Sequence, residues 1–249
     1  NSPYGLVLVT GPTGSGKTTT LYAILSEIKT PTKNIVTVED PVEYKLEGVN
    51  QVQVKPEIGL TFAGALRSFL RQDPDIMLVG EVRDLETAQI CIRSALTGHL
   101  VLSTLHTNDA PQAITRLLDI GIEPYMVAPS LLIVIAQRLI RKLCPECKEA
   151  YEPNPEELKN LKLKTDLLYK TKGCSKCGQT GYRGRTCIAE VMMVSEQIQE
   201  LINQRASFQK IREVAKTAGM QTLYESALKK VESGITSLEE ALSITLGVE

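Results

Sequence analysis

The 249-residue chain contains no tryptophan, three phenylalanines and two histidines, and its aromatic fraction is only 4%. Neither charge dominates: 28 Lys and Arg stand against 29 Asp and Glu, for a net charge of −1. Nothing global therefore draws the chain to nucleic acid or to anionic lipid. A groove of basic residues interleaved with aromatics, the usual grip on a single strand, is missing as well, which argues against a DNA-translocating role. No run is long and apolar enough to span a bilayer. The nearest, Met126 to Ile140, is broken by Pro129, Ser130, Gln137 and Arg138, and it reads as part of a buried helix from about Pro124 to Leu143. Six cysteines are too few for a disulfide scaffold. No signal peptide is visible and the first residue is Asn1, which points to a piece of a longer protein.

What is present is a core-forming composition, 43% hydrophobic and 23% charged, enough for one large α/β domain with a small appendage. Near its start, Gly11-Pro12-Thr13-Gly14-Ser15-Gly16-Lys17-Thr18-Thr19 fills the pattern G-x-x-x-x-G-K-[ST]. It follows the apolar run Gly5 to Val9 and opens a helix-like stretch to about Lys29, the context the pattern needs. Glycines allow successive N–H groups to face one concavity, and the helix start adds partial positive charge, so the loop reads as a phosphate cradle. Lys17 would reach the outer phosphates and the Thr18 hydroxyl one position on Mg²⁺. The plain alternative is an ordinary glycine-rich strand-to-helix turn.

Further apolar runs end in polar residues that a parallel sheet would gather at one edge. Ile35 to Val38 runs into Glu39-Asp40-Pro41, where the acid is either a site residue or part of a capping turn. Ile76 to Val79 runs into Gly80-Glu81, the logic of a strand that carries an acid to a metal shell. Many such strands offer Asp where this one has Gly80, so Glu81 is expected to hold Mg²⁺ through water. His99 to Thr104 leads to His106, while His99 lies at the strand's other end and reads as structural. Thr61 should cap one helix, Leu85 to Leu96 should form another, and Asn108 or Asp109 should cap a third ending at Gly121. Strands alternating with helices behind a cradle predict a parallel α/β core.

At Cys144 the composition changes. Cys144-Pro-Glu-Cys147 and Cys174-Ser-Lys-Cys177 are paired C-x-x-C knuckles, able together to form a closed tetrahedral S₄ shell suited to structural Zn²⁺. A redox dithiol and four incidental cysteines are the other readings. The spacer between the knuckles should hold a small helix, and Cys91 and Cys187 read as core residues. From Cys187 to Val194 a strand is expected. Helices follow near Glu196–Gln204, Phe208–Ala218, Thr222–Glu232 and Leu238–Leu246, the last opened by a Ser237-x-x-Glu240 capping box.

Taken together, these stretches resemble the secretion and type IV pilus assembly ATPases, RecA-like motors of type II secretion. The match lies in Gly11 to Thr18 (Walker A), Thr37 to Glu43 (aspartate box), Leu70 to Asp75 with Val79 to Asp84 (Walker B), and Leu96 to Leu100 with Thr104 to Asn108 (histidine box). The two cysteine pairs and Thr180 to Arg185 are similar to the tetracysteine region. The Gly80-Glu81 ending is itself this family's pattern. The resemblance implies that Glu39 polarises the attacking water, Glu81 is associated with Mg²⁺, His106 senses the γ-phosphate and Lys17 neutralises phosphate charge. Arg71 and Arg83 would lie near the nucleotide or a subunit boundary. It also implies ATP, Mg²⁺ and Zn²⁺ as cofactors, a cytoplasmic homo-hexamer on the inner face of the membrane, and contact with an inner-membrane platform protein through a missing N-terminal region. The tetracysteine region favours assembly or export over retraction. The implied organisation is a RecA-like core at 1–143, a zinc subdomain at 144–186, and a strand with a helical subdomain at 187–249. The rival functions are a DNA-translocating RecA-like motor and a non-hydrolysing nucleotide-binding scaffold.

Overall fold

A computed structural model describes residues 3–161 and 163–245. The chain divides into two compact units, residues 1–136 with 191–220, and residues 137–190 with 221–249.

The first unit is built on a sheet of mostly parallel strands. Its strands are β1 (Gly5–Thr10), β2 (Ile35–Glu39), β3 (Asn50–Gln53), β4 (Ile76–Val79), β5 (Leu100–Leu105) and the start of β6 (Leu131–Leu143), with β9 (Tyr182–Met193) beside β6. The order across the sheet is β3-β2-β4-β5-β1-β6-β9. Five neighbouring pairs, from β3–β2 through β1–β6, are parallel. Every residue of β1 is buried, as expected for a strand covered on both faces. Polar Asn50-Gln-Val-Gln53 instead leaves β3 partly exposed at the sheet edge, where polarity discourages further pairing.

The helices of this unit are α1 (Lys17–Ile28), α2 (Phe62–Phe69), α3 (Leu85–Leu96), α4 (Ala110–Ile120), α5 (Pro124–Ser130), α7 (Glu196–Asn203) and α8 (Phe208–Thr217). Leu21, Tyr22 and Leu25 on one face of α1 pack with Val7, Val9, Ile76, Leu78 and Leu102 of the sheet. Each such buried aliphatic contributes about 1.5–3 kcal/mol, which anchors the helix that leaves the glycine-rich loop. Thr61, Asp84 and Asp109 cap α2, α3 and α4 by accepting from Gly64 N, Thr87 N and Gln112 N at 3.2, 2.8 and 2.8 Å. The cap of α4 is thus Asp109.

The apolar stretch expected to be one helix from Pro124 to Leu143 is two elements. Pro129 limits α5 to two turns. The β-branched run Ile133-Val134-Ile135 then pairs in parallel with β1, so tertiary pairing overrides a run whose period does not separate helix from strand.

The second unit holds the remainder of β6 and β9 with β7 (Glu149–Tyr151), α6 (Pro155–Leu161), β8 (Leu168–Lys170), α9 (Leu223–Glu232) and α10 (Leu238–Thr245). The helix α6 is the one expected between the knuckles. The strand expected from Cys187 begins earlier, at Tyr182. Cys91 is buried, but Cys187 is exposed, because β9 alternates and turns its neighbour Ile188 inward. The capping box at Ser237 is only half formed. Ser237 Oγ accepts Glu240 N at 3.2 Å, while the Glu240 carboxylate is taken by Arg141, whose N, Nε and Nη2 donate at 2.9, 2.9 and 2.6 Å. A complete box opens α9 instead, between Thr222 and Glu225. Leu246, the predicted end of α10, lies outside the described residues.

Candidate nucleotide site and cysteine centre

Parallel pairing decides where the polar strand ends go. With Val38 level with Val79, Val79 with Ser103, and Leu8 also with Ser103, the carboxyl ends of β2, β4, β5 and β1 lie side by side. That one edge receives Glu39 from β2, Glu81 after β4, His106 after β5, and the loop Gly11 to Gly16 after β1. This is the ligand-binding edge of an open parallel sheet.

In the loop, Ser15 N donates to Pro12 O at 3.2 Å, and Lys17 Nζ donates to Gly11 O and Pro12 O at 2.9 and 3.1 Å. Gly16, with φ of 88°, turns the chain into α1 in a conformation costly for any residue with a Cβ. The N–H groups of the first turn of α1 therefore open toward the loop, the arrangement that binds phosphate. Thr18 is half-buried and Thr19 exposed in that first turn, while Pro12, Thr13 and Gly14 form the exposed lip.

Glu39 is 3% exposed although charged. Tyr22 OH of α1 donates to its Oε2, and Oε1 accepts from Thr37 Oγ1 and, at 3.3 Å, from Gln51 Nε2. Burial, then the hydrogen bond and charge of Glu39, push the Tyr22 phenol well above its ordinary range, so it remains a donor.

Glu81 is half-buried. It is paired with Arg83 and lies 3.5 Å from His106 Nε2. Burial works to raise its pKa, but the Arg83 hydrogen bond and charge, followed by those of His106, outweigh burial and hold it below 4.5. Arg83 also lies 3.8 Å from Asp40. Gly80 explains the missing Asp: a Cβ there would stand 3.3 Å from Glu39 Cα and 3.4 Å from Val38 O. A side chain there would press on the backbone of β2, which would have to give by a few tenths of an ångström, so glycine sits most easily and the acid stands one residue on. His99 Nδ1 meets Ser94 O at 3.0 Å at the opposite end of β5, a structural contact. Arg71 bonds Arg67 O and Ser68 Oγ within its own helical segment.

In the second unit Cys144, Cys147, Cys174 and Cys177 bring their sulfurs within 4.8 Å of one another, an arrangement able to hold a metal ion. The closest pairs are Cys147–Cys177 and Cys174–Cys177 at 3.8 Å and Cys144–Cys174 at 4.0 Å. Cys174 N and Gly181 N donate to Cys177 Sγ at 3.3 and 3.2 Å. Burial opposes ionisation of Cys177, but these backbone donors together with the thiols of Cys174 and Cys147 outweigh it and bring the thiol down to about 6, while burial and the same cluster of thiols push Cys147 up to about 12.

Residues 1–243 match the family of type II/IV secretion system proteins. The chain belongs to that family. The type IV pilus assembly ATPase PilB of Thermus thermophilus is 52% identical across 99% of this chain, which covers 28% of that protein. The type II secretion system ATPase E of Vibrio cholerae is 52% identical across 98% of this chain, covering 49% of that protein. This member of the family thus spans about half or less of the length of those relatives. Among solved structures, the pilus retraction motor PilT with bound ADP superposes with a TM-score of 0.73 at 34% identity, covering 97% of this chain and 61% of that one. Among the described residues no helix is long and apolar enough to cross a membrane.

Several residues around the site were given no role by the sequence. Tyr22, Thr37 and Gln51 come from three elements and meet only through the fold. Thr37 was the most legible, because period-two alternation puts residues i and i+2 of a strand on one face. Arg212 of α8 is another: it bonds the buried Asp109 carboxylate that caps α4, three residues beyond His106.

Proposed function

We propose that this chain is the ATP-hydrolysing part of a hexameric cytoplasmic motor that powers type II secretion or type IV pilus assembly. One observation carries the reading: four neighbouring parallel strands deliver the phosphate loop, Glu39, Glu81 and His106 to a single edge. The names of the relatives at 52% identity, assembly and export ATPases, support the choice of machine. Gly11 to Thr19 would cradle the triphosphate, and Lys17 would leave its carbonyl partners for the outer phosphates. Glu39 would polarise the attacking water, and His106, beside Glu81, would report the γ-phosphate.

Thr18 and Glu81 would hold Mg²⁺, which when bound neutralises charge on the phosphate oxygens. A half-buried carboxylate held ionised by Arg83 suits that task. For the cysteine centre, zinc–sulfur bonds of about 2.3 Å in a tetrahedron place sulfurs about 3.8 Å apart, close to the 3.8–4.0 Å of the Cys144–Cys174, Cys147–Cys177 and Cys174–Cys177 pairs, with all four sulfurs within 4.8 Å of one another. We assign the centre to structural Zn²⁺, with all four ligands supplied by the protein. The functional division we propose is a nucleotide core at 1–143, a zinc subdomain at 144–186, and a strand and helical subdomain at 187–249, whose residues are shared between the two compact units. A platform protein at the inner membrane would be engaged through sequence outside this chain. Contact with nucleic acid is not part of the proposal.

The test uses the full-length protein. Lys17→Ala should abolish ATP turnover, and Glu39→Gln should retain ATP binding while slowing turnover by about a hundredfold or more. Turnover by Glu39→Gln at the wild-type rate would remove Glu39 from the reaction.

A further inference from the structure

Glu39 is charged, 3% exposed, and surrounded by neutral donors. A carboxylate offers about four lone-pair positions. Three of them are taken here: one on Oε2 by Tyr22 O–H, and two on Oε1 by Thr37 O–H and Gln51 N–H. The last position, on Oε2, is the one left for a water.

The clamp is itself rigid. Tyr22 is 1% exposed and Thr37 fully buried. The Tyr22 ring meets Tyr44 edge-on at 4.7 Å. Gln51 Nε2 lies 3.2 Å from both Tyr22 OH and Tyr44 O, so β3 braces the phenol as well as the acid. Tyr22 rides on the helix that begins at Lys17, and its hydroxyl therefore ties the aim of Glu39 to the helix that bears the phosphate loop.

We propose that Tyr22 and Thr37 are positioning residues for hydrolysis, each fixing one oxygen of Glu39 so that a single lone pair faces the attacking water. The proposal rests on the hydrolytic reading of Glu39. With both oxygens fixed the carboxylate has one aim, and a misaim of about 1 Å costs on the order of a hundredfold in rate. The other ionisable groups around the clamp are Glu43 and Tyr44, which face Tyr22 from the loop after β2. Asp40, next in sequence, is engaged by Arg83.

The experiment is steady-state ATP hydrolysis by full-length protein carrying Tyr22→Phe, with kcat and KM measured separately on folded enzyme. Phenylalanine keeps the ring and its packing. The expected result is a kcat about tenfold lower with a KM for ATP within twofold of wild type. Loss of packing alone would lower the amount of folded enzyme while leaving the kcat of each folded molecule unchanged. Unchanged kcat in folded Tyr22→Phe overturns the proposal. Should that variant fail to fold, Thr37→Val reads the same carboxylate through its other oxygen, and an unchanged kcat there overturns it equally. Glu39→Gln is run alongside: if it hydrolyses ATP like wild type, the hydrolytic reading of Glu39 is what has failed.

Discussion

Replacement of the Arg212 guanidinium by an apolar group should destabilise the first unit more than its position on a C-terminal helix implies. Its partner, Asp109, has a side chain only 1% exposed, and Arg212 itself is 22% exposed. Besides Arg212, the Asp109 carboxylate accepts Gln112 N on Oδ1 and Gln112 Nε2 on Oδ2, each at 2.8 Å. Breaking a fully buried pair from one side costs about 3–5 kcal/mol, because the other charge stays behind unpaired. The two Gln112 donors and the partial exposure of Arg212 reduce that to about 2–3 kcal/mol for Arg212→Met. For a chain of this size each kcal/mol moves Tm by about 2–4 °C, so a loss of roughly 4–12 °C is expected. Urea unfolding followed by helical circular dichroism gives the free energy directly. Asp109→Asn keeps the cap of α4, since Asn caps as well as Asp, and it removes the stranded charge. The Asp109→Asn, Arg212→Met double variant should therefore be less destabilised than the sum of the single variants, by at least about 1 kcal/mol. A loss below about 0.5 kcal/mol for Arg212→Met, or strict additivity, would refute the argument.

Two further outcomes concern the second unit. Burial tends to raise Glu240, but Arg141, through its side-chain and backbone donors and its charge, holds the carboxyl below 4.5 in the folded chain. A depressed folded pKa means stability that is complete above the unfolded value and is lost as pH falls through the folded one. Acid titration of stability should show this loss below about pH 4.5, and Glu240→Gln should flatten that part of the curve. Purified under reducing, chelator-free conditions, the protein should carry about one zinc per chain, and Cys174→Ser should release it and lower the melting temperature. Metal content unchanged in that variant would exclude the four-cysteine shell.

How much was legible in advance varies by element. The phosphate loop, Glu39, Glu81, His106 and the four cysteines all announced themselves by local spacing, because cradles, strand-end acids and C-x-x-C knuckles are short-range geometries. The helix starts at Thr61 and Leu85 were local too, since a cap needs only its own first turn. The stretch from Pro124 to Leu143 was not. Its apolar run suits a helix or a buried strand equally, and only the neighbouring β1 makes it a strand. Glu240 looked like half of a capping box, yet Arg141, far away in sequence, supplied a charged partner that a backbone N–H could not match.

Residue order alone was enough to point to a chemistry for each strand end, because a phosphate loop and a strand-end acid are short-range patterns. It could not establish how each group is held. That Tyr22 and Gln51 converge on Glu39, that a side chain at Gly80 would press on β2, and that Arg212 secures the cap next to His106 all depend on residues far apart in sequence. They meet only once parallel pairing and helix packing have brought their backbones together.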